Sequence, residues 1–216
     1  MLKGIRQTLL IHIKSNYKRY FLLLVAFVIG VSAGAFTVNG LSAIQRAELA
    51  NYFQGFLQLL DKQSIDSSEL FKVSLLENGR FVLLLWILGV TIIGIPFIFV
   101  LVGVRGFITG FSSGFVIKIL GFKGIIFTLC ALIPKEIIII PCIIALGVNG
   151  MNFSMNIIKS RSIKHISKEG LKTSFFSYCF VTMFFCFLIL TGILVEAFIT
   201  PVFIRIIVPI ISQLNV

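Results

Sequence analysis

From Gly124 to Val148 the chain is apolar apart from Thr128, Lys135 and Glu136. The run is long enough to cross a bilayer, which takes about 20 apolar residues. No other feature restricts the fold as much. In hydrocarbon every backbone N–H and C=O must find a partner within the protein, so such a run folds as a membrane-spanning helix. Pro134 and Pro141 interrupt it, and each lacks the amide hydrogen that a helix interior uses. A charge at bilayer depth costs about 2.5–3.5 kcal/mol on insertion scales, so Lys135 and Glu136 each need a partner or a purpose. They are neighbours in sequence and point about 100° apart on a helix, so they cannot pair well with each other. Two readings stand side by side: a kinked helix whose polar residues face neighbouring helices, or a partner-binding or pathway role.

The rest of the chain has the same character. Of its 216 residues 58% are hydrophobic and only 12% are charged, and the mean hydropathy is +1.07. A soluble domain is about a quarter charged. The expectation is one all-α, polytopic membrane domain over residues 1–216, in the cell membrane. A net charge of +11 could suit nucleic acid, but the basic residues cluster in short segments beside apolar spans, as the positive-inside rule requires. Membrane lipid is therefore the expected partner and nucleic acid is not. Cys130, Cys142, Cys179 and Cys186 all lie in apolar runs without a Cys-x-x-Cys pair, and read as small core residues. His12 and His165 are isolated, so no metal or cofactor is expected.

Residues 1–19 carry Lys3, Arg6, Lys14, Lys18 and Arg19 and no acid, with Leu2, Ile5, Leu9 and Ile13 on one face. That pattern predicts a basic amphipathic helix on the cytoplasmic surface. A first span follows over Tyr20–Val38; Ala33-Gly34-Ala35 could pass for a signal-peptidase site, but the apolar remainder favours an uncleaved anchor. Residues 39–79 are rich in acids and predict an extracellular helical segment, with Asp66 and Glu69 opening its second helix as a capping box. Two spans are then expected, Phe81 to about Leu101 and Gly106 to about Phe122, joined by a tight turn that puts Arg105 at the cytoplasmic surface. Gly106, Gly110 and Gly114 share a face, as do Ala26, Gly30 and Gly34. Such ladders mark close helix contacts, either within the chain or across a homo-oligomer.

The span holding Pro134 and Pro141 leads into a basic cytoplasmic loop over residues 149–173. Were the stretch re-entrant, that loop would fall outside against the charge rule, so a full crossing is expected. The last span runs from Phe175 to Val195 and ends at Glu196, Thr200 and Pro201, where Thr200 could bond carbonyls freed by the proline. Residues 202–216 form an interfacial tail. The expected topology has about five transmembrane helices, N-terminus inside and C-terminus outside. No catalytic constellation is visible, so an enzyme is not expected. A scaffold ranks first; the alternative is a small-solute or ion permease lined by Lys135, Glu136 and Glu196.

An ordered set of motifs adds a resemblance. Arg80, Trp86-Ile87-Leu88-Gly89, Ile93-Gly94-Ile95-Pro96, Gly103-Val104-Arg105-Gly106 and Gly110 resemble the stage II sporulation protein M family. So do the spacing of Pro134 and Pro141 and the sequence Glu196-x-x-x-Thr200-Pro201. Wider relatives carry a Glu ahead of the second proline, at the place of Ile139 here. The resemblance covers nearly the whole chain. It implies a non-enzymatic membrane component of engulfment in sporulation, in the mother-cell engulfing septal membrane. It also implies two partners, the stage II sporulation proteins D and P, which degrade and remodel septal peptidoglycan.

Overall fold

The computed structural model describes residues 14–62, 66–162 and 168–204, and every element among them is helical. Helix α1 is Tyr17–Gly40, α2 is Ala43–Lys62, α3 is Ser67–Val90 and α4 is Gly94–Leu120. A short α5, Phe122–Phe127, passes through a π-helical turn at Thr128–Leu132 into α6, Ile133–Ser162. Helix α7, Lys168–Leu194, ends in a second π-helical turn, Val195–Ile199, and the helix continues to Ile204. Five stretches are long and apolar enough to cross a membrane: Tyr17–Gly40, Ser67–Val90, Gly94–Leu120, Phe122–Ser160 and Lys172–Ile204. Arg19 reaches Asn152 on α6 at one end of the bundle, and Lys118 Nζ donates to Asn39 Oδ1 (2.9 Å) at the other. These are the Tyr17 end and the Gly40 end below.

The number of spans is as expected, but the second and third are divided elsewhere. The turn lies at residues 91–93, and Arg105 is in the middle of α4. Thr91 makes the break: its N–H and its hydroxyl both donate to Leu88 O, at 3.0 and 2.8 Å. Pro96 then falls in the first turn of α4, where its missing N–H would have no helical partner anyway. Residues 67–79 consequently belong to a span. Their charged residues, Glu69, Lys72 and Glu77, all point outward and exposed. Asp66 caps α3, its carboxylate accepting from Ser68 N–H at 2.8 Å and not from Glu69 N–H as in the expected capping box. Residues 149–162 continue α6 in place of a loop. The expectations for residues 1–13, for His165 and for residues 205–216 of the tail lie outside the described residues.

Helices α1 and α4 make the most extensive contact, and glycine permits it. A Cβ at Gly30 would lie 2.1 Å from Gly103 O, one at Gly106 2.3 Å from Phe27 O and one at Gly110 2.1 Å from Val31 O. The two ladders therefore meet each other within one chain, backbone on backbone. Toward the centre, Leu23, Leu85, Ile98, Val102, Ile139, Ile143, Ile189 and Ile193 form the main apolar core. Pairs spaced i, i+4 on α4, α6 and α7 supply most of it, which is why these helices present one face inward. A smaller cluster at the Gly40 end gathers Val116, Phe127, Ala131 and Ile204. Phe53 of α2 is wedged there, edge-on to Phe115 and to Phe127 with centroids 6.1 Å away in each case.

Candidate functional site

The site begins with two backbone irregularities. Each π-helical turn ends two residues before a proline: Leu132 before Pro134, and Ile199 before Pro201. In each, the residue just ahead of the proline donates its N–H five residues back, Ile133 to Thr128 O and Thr200 to Val195 O. A proline in an α-helix clashes with the carbonyl four residues earlier, and a widened turn gives the ring room. Pro141, by contrast, is taken within α6 without such a turn. The π-helical turns place charged side chains: Glu196 lies inside one, and Lys135 and Glu136 lie three and four residues beyond the end of the other.

These side chains meet across four spans. Lys135 Nζ forms an ion pair with Glu196 Oε1, and Glu136 Oε1 forms one with Arg105 Nη2 at 3.0 Å. Ser74 Oγ donates to Glu196 Oε2, and Asn78 Nδ2 donates to Ser74 O (2.9 Å) and to Ser74 Oγ (3.3 Å). The guanidinium of Arg105 lies 6.0 Å from the ring centroid of Phe81, one turn on from Asn78. The result is a ring that runs from α4 to α6, α7, α3 and back to α4. Arg105 is 15 residues from the end of α4, about 22 Å at 1.5 Å per residue, so the ring is deep. Glu136 and Glu196 are each only 9% exposed.

The expectation that Lys135 and Glu136 find partners on other spans holds. The placement of Arg105 at a surface does not, because Glu136 neutralises it at depth. Thr200 also differs: its buried Oγ1 has no hydrogen-bond partner, so it does not cap a carbonyl freed by Pro201. Gly106, Gly110 and Gly114 stand apart from the ring, on the α1 seam.

A second polar group, which charge alone did not single out, holds the Tyr17 end. Tyr178 OH donates to Trp86 O (2.9 Å), Ser154 Oγ to Thr91 O (2.7 Å), and Asn149 Nδ2 to Tyr178 O (3.2 Å). Phe153 stacks on Tyr178 with centroids 4.8 Å apart. Polar residues in otherwise apolar spans were the available signal. A cavity of about 600 Å³ opens here, lined by Asn149, Asn152, Asn156, Ser174 and Ser177 among others. Apolar grooves of about 500 Å³ and 540 Å³ lie between α3 and α7, and between α1, α6 and α7. None of the three is lined by Arg105, Lys135, Glu136 or Glu196. Among the described residues no group of three His, Cys, Asp or Glu side chains is placed to hold a metal ion.

The family model for stage II sporulation protein M matches residues 23–201, most of the chain and every member of the ring. The chain belongs to that family. Membership ties it to sporulation, and the family is in general a non-catalytic membrane one. With five apolar spans, the chain is a multi-pass membrane protein. Neither a curated relative nor a solved structure matches.

Proposed function

We propose that this protein is a non-enzymatic scaffold for engulfment in sporulation. It holds the peptidoglycan-degrading stage II sporulation proteins D and P at the mother-cell engulfing septal membrane. The observation that supports this best is the pairing of every charge in the ring. A solute path favours charges left unpaired to meet the solute, whereas Arg105, Lys135, Glu136 and Glu196 form two ion pairs with each other. Ion pairs between spans fix helix register in the way that buried polar residues fix coiled-coil register. The basic segments favour the Tyr17 end inside and the Gly40 end outside. The stretch carrying α2 then faces the compartment in which peptidoglycan lies.

Two measurements test the proposal together. Affinity capture of the tagged protein from sporulating cells should bring down both hydrolases. Purified protein in proteoliposomes should conduct neither protons nor small solutes. A flux that is lost in the Lys135→Met/Glu136→Gln double variant while the fold survives would establish the permease reading instead.

A further inference from the structure

Two of the openings lie one below the other along the seam between α6 and α7. The polar cavity at the Tyr17 end is lined on α6 by Asn149, Asn152 and Asn156 and on α7 by Ser174, Ser177 and Val181, among others. The apolar groove is lined on α6 by Ile144 and Ala145, on α7 by Phe185 and Leu188, and on α1 by Phe21 and Leu24, among others. Asn149 is four residues from Ala145, and Val181 is four from Phe185, so on both helices the groove continues the face of the cavity one turn deeper. Helix α1 follows the same side. Arg19 donates to Asn152 Oδ1 and to Met155 Sδ, while Phe21 and Leu24, 63% and 47% exposed, border the groove. From Asn156 to Ile140 the two openings run 16 residues along α6 (156 less 140), about 24 Å at 1.5 Å per residue. One leaflet is half of a bilayer about 40–45 Å thick with its headgroups, so about 20–23 Å.

We infer that this seam binds one anionic phospholipid of the leaflet at the Tyr17 end, its headgroup in the polar cavity and a chain in the apolar groove. The cavity offers neutral donors. Among the described residues the side chains of Asn156, Ser174 and Ser177 make no hydrogen bond with the protein, so they are open to a phosphate or a glycerol hydroxyl. Charge at the rim sets the sign of the headgroup. Arg19 bonds Asn16, Asn152 and Met155 through its two Nη groups alone, which leaves its Nε–H to an anion. Lys159, exposed, stands three residues beyond Asn156 on that side of α6. No acid lines the cavity. At about 600 and 540 Å³, each opening has the size of a small-molecule site, about 300–1,000 Å³. A soluble phosphate ester would leave the groove empty, and an apolar helix would leave the donors of the cavity unmet. A phospholipid serves both and matches their combined length.

Native mass spectrometry of the full chain in detergent tests this. The protein is offered phosphatidylglycerol and phosphatidylcholine of the same chain length in equal amounts. One phosphatidylglycerol should be retained per chain, about tenfold over phosphatidylcholine, given two cations at the headgroup. Ser177→Trp and Asn156→Trp fill the cavity from its two walls, and both positions are exposed, so the helices can carry the larger side chain. Each variant that keeps the helicity of the wild type should lose most of that retention. Glycerophosphoglycerol, the headgroup without chains, should not displace the lipid at millimolar concentration. Equal retention of the two lipids would overturn the site, and so would retention that both variants leave unchanged. Displacement by glycerophosphoglycerol would assign the cavity to a soluble phosphate ester instead. A lipid-free dimer that Ser177→Trp dissociates would assign the seam to a second copy of the chain. None of these results touches the scaffold proposal, which depends on partner capture and flux.

Discussion

Replacing Gly110 by alanine adds one carbon where α4 lies directly on α1. That carbon would stand 2.1 Å from Val31 O and 2.7 Å from Val31 C and Cα, all backbone atoms. Real Cβ atoms essentially never come within 3.0 Å of such a neighbour, so the helices must part locally by about 0.9 Å (3.0 less 2.1). A gap of about 0.5–1 Å forfeits a quarter to a half of a contact worth about 0.1–0.2 kcal/mol, which over roughly thirty atom pairs comes to about 2 kcal/mol. Measured overpacking penalties of about 1–3 kcal/mol agree. Gly79→Ala is the control, because a Cβ there meets nothing within 4 Å. Helix propensity alone should make that variant more stable by up to about 1 kcal/mol. Gly106→Ala (2.3 Å to Phe27 O) should resemble Gly110→Ala, and Gly114→Ala (3.2 Å to Ala35 Cα) should be milder. Equilibrium unfolding in mixed micelles, followed through the single tryptophan, Trp86, reads all four. Gly110→Ala and Gly79→Ala of equal stability, within about 0.5 kcal/mol, would refute the backbone contact.

Lys135→Met alone leaves Glu196 buried beside Ser74 without its cation and should cost about 3–5 kcal/mol, most of it recovered in Lys135→Met/Glu196→Gln. Equal losses in the single and double variants would show that the unpaired Glu196 is not the source of the loss. Tyr178→Phe removes the hydrogen bond to Trp86 O but keeps the stack on Phe153, so the same unfolding assay should register a loss of about 0.5–1.5 kcal/mol. Single cysteines at Ser15 and Ser42, both exposed and at opposite ends of the bundle, should react with an impermeant thiol reagent from opposite sides of the membrane in a background lacking the native cysteines. Labelling from outside at Ser42 only is the expected result, and labelling at Ser15 only would invert the orientation.

The span count and the glycine faces were readable in the sequence because each depends on local spacing. Hydropathy marks a run, and residues four apart on a helix share a side wherever the helix goes. The boundary between the second and third spans was not readable in the same way. Arg105 looks like a surface residue until its partner is known, and Glu136 lies 31 residues further along. Thr91 carries no charge, yet its doubled hold on Leu88 O is what ends the helix. Gly94 and Pro96 were the local clue, a proline that suits a first turn better than a kink. That Lys135 and Glu136 need outside partners followed from their adjacency. Which partners they take depends on the rotation of α6, and that is governed by the π-helical turn before it.

A π-helical turn amounts to one residue inserted into an α-helix. Relative to an unbroken α-helix of the same sequence, everything beyond it is turned back by about 100° and set back by about 1.5 Å, because the wide turn absorbs the extra residue. Lys135 and Glu136 lie beyond such a turn, and Glu196 lies within another. Deleting a single residue from 128–132 would therefore let the wide turn close to an ordinary one with both charges still facing their partners, though Pro134 would be crowded, whereas inserting a residue there would swing both charges away. Tolerance to substitution along this stretch and tolerance to a change of length are separate properties. The chain can accept many different side chains at lipid-facing Leu129, which is 53% exposed, and the wide turn can lose a residue, but it has no room to gain one between Gly121 and Lys135.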